Sequence, residues 1–115
     1  MRSDDAGTLH IAEIPWETGE LRYRYSRRLS EDGSRWIRHG LFQAFHVGGG
    51  LASEGIFADG REEGVWRDFH ENGRLAAEGN YREGLKDGVW RFWTDDGVLE
   101  CETAYTAGEE HRGQA

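Results

Sequence analysis

From Gly40 onward, short runs of alternating apolar and polar residues are separated by glycine-bearing breaks, and the pattern returns every 24 residues. Phe42, Trp66 and Trp90 hold one position of this repeat, and Phe45, Phe69 and Trp93 hold a second. Leu51, Leu75 and Leu99 hold a third, Glu54, Glu78 and Glu102 a fourth, and Phe57, Tyr81 and Tyr105 a fifth. Gly40, Gly64 and Gly88 open the units. Gly49, Gly73, Gly97 and then Gly60, Gly84, Gly108 break each unit twice. Helix formers never gather into a stripe of period 3.6, and the runs between glycines suit a period of two. The sequence therefore predicts an all-β fold, an antiparallel meander of repeated β-hairpins stacked as a one-dimensional array.

The middle unit sets the expected register. Val65–His70 and Leu75–Tyr81 read as strands joined at Asn72-Gly73, a dipeptide that favours the two positive φ angles of a type I′ turn. Gly48-Gly49 and Asp96-Gly97 suit the same turn. A two-residue loop there predicts Phe69 opposite Ala76, Asp68 opposite Ala77, Arg67 opposite Glu78 and Trp66 opposite Gly79. Arg67–Glu78 and Arg91–Glu102 are then cross-strand ion pairs, softened to Gln43–Glu54 in the first unit. Trp66 over Gly79 and Phe42 over Gly55 would lay a large ring across bare backbone. Thr103, opposite Trp90, departs from that pattern. Gly84 to Gly88 is expected to return the chain to the next unit.

Alternation along the strands assigns two faces. Trp66, Leu75, Ala77, Gly79 and Tyr81 share one with Phe42, Leu51, Gly55, Phe57, Trp90, Leu99, Cys101 and Tyr105. This face is the more apolar and is the expected core. Phe69, Arg67, Ala76 and Glu78 share the other with Phe45, Gln43, Glu54, Trp93, Arg91 and Glu102. Trp66 and Phe69 are three apart, so a bulge between them would bring both to one face.

Outside residues 40–108 the pattern loosens. Residues 19–39 read as a degenerate unit with a long loop, because Gly19-Glu20-Leu21 followed by Tyr25 echoes Gly73-Arg74-Leu75 followed by Tyr81. Residues 1–18 are expected to form an N-terminal capping region, with an extra strand near 8–16 over the first edge. Residues 109–115 are expected to be a polar, frayed tail.

A chain of 115 residues makes one domain. Its 17 glycines, 5 tryptophans and 37% apolar content suit a thin β structure better than a thick core. The net charge of −8 argues against nucleic-acid and anionic-lipid partners and favours basic proteins. No polybasic patch is expected. Cys101, the one cysteine, permits no internal disulfide. The N-terminal MRSDDAGTLH lacks the apolar run of a signal peptide, so a cytoplasmic location is the default.

Chemistry-bearing constellations are sparse. The five histidines form no ligand spacing, and His46 and His70, at one repeat position, fall ~10 Å apart on the sheet, too far to share a metal. The acidic pairs Glu62-Glu63, Asp95-Asp96 and Glu109-Glu110 lie in or beside turns or in the tail, where no cleft would hold two carboxylates for catalysis. Gly48-Gly49-Gly50 has no following lysine or helix to make a phosphate loop. No catalytic, metal or cofactor residue is assigned, and an enzyme is the least favoured class.

The units read G-x-[FW]-x-x-[FW]-x-x-x-G-x-L-x-x-E-[GT]-x-[FY]-x-x-G. This resembles the MORN repeat, with spacing closest to the bacterial variant in proteins labelled YwqK-family antitoxins. The resemblance covers about residues 19–113 and is strongest over 40–108. It implies a hairpin meander and a role in neutralising a toxin partner. The residues independently suggest a protein-binding face: Phe45, Phe69 and Trp93 flanked by Arg67 and Arg91, the aromatic-plus-arginine composition of an interface hot spot. The competing class is a scaffold that self-assembles through its edges or aromatic face. Membrane or phosphoinositide association follows only from the family's name. The partner's identity and the oligomeric state stay open.

Overall fold

The computed structural model describes residues 9–111. Nine strands follow in chain order: β1 His10–Pro15, β2 Leu21–Leu29, β3 Trp36–Phe45, β4 Leu51–Ala58, β5 Arg61–Phe69, β6 Leu75–Arg82, β7 Leu85–Trp93, β8 Leu99–Thr106 and β9 Glu109–His111. They form one antiparallel sheet in sequence order. Its extents of 58 × 36 × 18 Å are those of a single layer, and among the described residues no second sheet covers it. β1 lies within the stretch expected to form an edge strand. Residues 1–8 of the expected cap and 112–115 of the expected tail lie outside the described residues. Residues 109–111 of that tail are not frayed: β9 pairs with Ala104–Thr106 of β8.

The inner register is the expected one, with Asp68 opposite Ala77, Arg67 opposite Glu78 and Trp66 opposite Gly79. The turn that sets it is different. Gly73 N–H donates to His70 O at 2.9 Å and His70 N–H to Arg74 O at 2.8 Å. Gly73 has φ +90°, and Asn72 is not among the residues at positive φ. This is a three-residue loop closed by a left-handed glycine, not a type I′ turn. The same paired bonds recur at Trp16–Glu20, His46–Gly50 and Thr94–Val98, so the degenerate unit keeps the device. The extra loop residue puts Phe69 opposite Leu75, and a bulge at Ala76 then restores the pairing. Positive-φ pairs of the type I′ kind occur instead at the return turns, Asp59-Gly60, Glu83-Gly84 and Ala107-Gly108. Strand β7 accordingly starts at Leu85, inside the stretch expected to be a connection.

The bulge corrects one face assignment. Leu51, Leu75 and Leu99 stand opposite Phe45, Phe69 and Trp93, not beside the tryptophans. Cys101 also departs from expectation: it is exposed on β8, so it is no buried hydrophobe. The core is a row of rings on the other face. Its centroids run Tyr25–Phe42 5.8 Å, Phe42–Phe57 5.4 Å, Phe57–Trp66 5.3 Å, Trp66–Tyr81 5.9 Å and Tyr81–Trp90 5.0 Å. Trp66 and Trp90 are the most enclosed rings, at 8% and 4% exposure. Edge-to-face and offset pairs of this kind each add about 0.5–1.5 kcal/mol beyond area burial.

Ring and glycine meet across units, not within a hairpin. Gly55 faces the three residues Gly64–Trp66, and Gly79 faces Gly88–Trp90, because β5 and β7 each bulge there. The bulge swings each indole back over the preceding strand. A Cβ on Gly55 would lie 2.1 Å from Trp66 Cδ2, and one on Gly79 2.0 Å from Trp90 Cδ2. Trp66 Nε1 donates to Ile56 O at 3.1 Å and Trp90 Nε1 to Asn80 O at 3.0 Å, so each indole is fixed at both ends. This arrangement explains Thr103. The position one repeat after Trp90 is Gln114, so the pattern places no indole over residue 103. It also fits the first unit, where the smaller Phe42 packs on Tyr25 and no glycine is needed.

On the opposite face Arg67 Nε meets Glu78 Oε2 at 2.6 Å, and Arg91 Nε meets Glu102 Oε2 at 2.6 Å. Both pairs are open to water, so Arg67→Ala should cost under ~1 kcal/mol in a urea melt. A larger loss would mean that the arginine stem packs far more than its exposure indicates.

Candidate partner-binding face

Phe45, Phe69 and Trp93 end β3, β5 and β7, so they recur once per hairpin, ~10 Å apart, along one margin of the sheet. Each follows Gln43, Arg67 or Arg91 by two residues and so shares its face. All three rings are partly exposed, and none takes part in the ring contacts of the core. Their backbone is clipped in place. His46 donates its Nε2–H to Phe69 O at 2.8 Å, and His70 donates its Nε2–H to Trp93 O at 2.8 Å. Asn72 Nδ2 adds a bond to Asp95 O at 2.7 Å. The repeated histidines thus fasten each hairpin turn to the next.

Beside the aromatic margin runs a ladder of alternating charge, Glu54, Arg67, Glu78, Arg91 and Glu102, each opposite the next. Arg67 and Arg91 are therefore neutralised by neighbours and do not present free cations. Beyond the ladder lies a stripe that the sequence reading did not single out. Leu41, Ile56, Val65 and Val89 are 46%, 45%, 50% and 46% exposed. Each adjoins a core aromatic in sequence, so alternation turns it to the opposite side. Its trace in the sequence was plain: an aliphatic residue directly before Phe42, Phe57, Trp66 and Trp90. The face thus combines rings, a neutralised charge ladder and exposed aliphatic groups.

The acidic pairs lie in or beside turns, as expected. Glu62 and Glu63 lie inside β5, opposite Phe57 and Ile56, and Glu63 Oε1 accepts from Glu83 N–H at 2.9 Å. Asp95 and Asp96 occupy a turn, where a hydrogen bond from Thr94 Oγ1 lowers the Asp96 carboxyl below its usual range. Among the described residues no three His, Cys, Asp or Glu side chains gather as a metal group. No helix in that range is long and apolar enough to cross a membrane.

The expectation of no polybasic patch fails. Residues 21–39 hold six arginines against two carboxylates, and the fold gathers several of them at one end of β2 and β3. Net charge concealed this local excess, although the run itself was there to be counted.

Residues 62–83 match the family model described as MORN repeat variant. The stretch spans nearly all of β5, its turn, β6 and the first residue of the return turn, so it corresponds to the middle hairpin. No curated protein and no solved structure matches the chain.

Proposed function

We propose that this sheet is a non-catalytic protein-binding module, and that its partner docks on the face carrying Phe45, Phe69 and Trp93. One observation carries the reading. In a single-layer sheet whose aromatic row forms the core, the opposite face keeps Leu41, Ile56, Val65 and Val89 about half exposed beside those three partly exposed rings. Exposed rings and exposed aliphatic groups set on either side of a charge ladder give the mixed apolar and polar surface from which interaction sites are built.

The more specific form of the reading is a toxin-neutralising protein of the cytoplasm. It rests on the resemblance to the bacterial MORN-type antitoxin group and on the acidic charge, which would steer a basic partner. Aromatic anchors dominate affinity, whereas rim charges set association rates. Phe69→Ala and Trp93→Ala should each weaken binding by roughly 2 kcal/mol or more while the fold persists. Charge reversal at Asp95-Asp96 should mainly slow association and flatten its salt dependence. Surface-plasmon kinetics with the partner recovered from the native host read both effects. Concentration-dependent oligomers without a recovered partner would favour the scaffold alternative.

A further inference from the structure

We propose that the arginine cleft at the loop end of β2 and β3 binds a small, soluble organic phosphomonoester as its dianion. Arg27, Arg35, Arg38 and Arg61 line an open cleft of about 500 Å³ in a chain of net charge −8. Arg27 and Arg38 stand directly opposite each other, an arrangement of like charges that destabilises a sheet unless something neutralises it. Among the described residues no carboxylate pairs with either one. Asp59, on the cleft wall, is engaged elsewhere: Arg28 Nη2 donates to its Oδ1 at 2.6 Å. Asp32 is spent inside its own loop, where hydrogen bonds from Ser30 and Ser34 hold its carboxyl down to about 2.

The two guanidinium groups are held ready for an anion. Arg27 Cζ lies 4.3 Å from the Trp36 ring centroid and Arg38 Cζ lies 5.0 Å from that of Tyr25. A guanidinium held over a ring by cation–π attraction keeps its charge and N–H groups with which to bind an anion. Arg27 Nε is buried without a hydrogen-bond partner, so the Arg27 guanidinium carries an unmet donor on the cleft wall. Two adjacent cations match a phosphate dianion better than one carboxylate, and their planar forks fit its oxygens bidentately. The cleft exceeds a phosphate group in size, and Trp36 and Ile37 offer an apolar wall for an organic body. The acidic remainder of the chain opposes an anionic bilayer, which favours a soluble source over a lipid headgroup. The site lies on the aromatic face, so it stands or falls independently of the docking face.

Calorimetric titration with phenyl phosphate and with inorganic phosphate tests this. One-to-one binding of phenyl phosphate is expected, weakened about tenfold or more in Arg27→Gln and in Arg38→Gln. Phenyl phosphate should raise the melting temperature of the wild type and not of these variants. Arg35→Gln, in an exposed loop, should weaken binding several-fold and serves if the strand variants do not fold. Vesicles carrying phosphatidylinositol phosphate should not retain the protein. No binding of phenyl phosphate, or binding that the glutamine variants leave unchanged, overturns the proposal. Capture by the vesicles alone overturns the soluble source.

Discussion

Gly79→Ala should destabilise the protein by about 3 kcal/mol, although it adds one methyl group to a strand position that alanine otherwise tolerates. The added carbon would lie 2.0 Å from Cδ2 and 2.2 Å from Cε2 of Trp90, well inside contact distance. Trp90 cannot yield cheaply. Its indole is 4% exposed, packs edge-to-face on Tyr81 at 5.0 Å and is anchored through Nε1 to Asn80 O. Either the ring leaves its slot or β6 separates from β7. Gly48→Ala is the matched control, since its Cβ would meet nothing within 4 Å. Urea melts followed by circular dichroism should separate the two by most of the predicted difference. In a Trp90→Ala background the Gly79→Ala cost should largely vanish, because the two residues are in contact and their effects couple. Equal costs in both backgrounds would show that the glycine serves some other purpose.

Trp66→Ala should cost about 3–5 kcal/mol, within the range for deleting a buried aromatic. The ring sits at the middle of the row, with centroids 5.7 Å from Phe42, 5.3 Å from Phe57 and 5.9 Å from Tyr81. A one-layer array has no second sheet to fill the space. The units on either side of the cavity would also lose a shared interface, the term that holds repeat arrays together. A broadened or two-step melt is therefore expected beside the lower midpoint. A loss below about 1 kcal/mol would move the stabilising core away from this row.

Much of this architecture was legible because the chemistry is written three times. The period located the hairpins, and the Arg67–Glu78 and Arg91–Glu102 pairs followed from alternation. That success concealed two deviations that cancel: a loop one residue longer than expected and a compensating bulge at Ala76. A bulge leaves no composition trace, so Leu75 was assigned to the wrong face. The ring-on-glycine idea was sound, but the partner glycine lies in the preceding unit. Sequence alone pairs residues within a hairpin more readily than between hairpins. The aliphatic residues before Phe42, Phe57, Trp66 and Trp90 were passed over because period-two reasoning had labelled their face as polar. The arginine cleft was missed for another reason. It lies in the irregular unit, where no repeat drew attention to it, and its charge is submerged in an acidic total.

The central claim is that the sheet has a structural face and a docking face. Affinity capture from the native host with wild-type, Phe69→Ala and Trp93→Ala proteins tests it most directly, after each variant is shown to melt like the wild type. The account predicts a defined protein partner retained by the wild type and lost from both folded variants. A partner that both variants retain undiminished would contradict it.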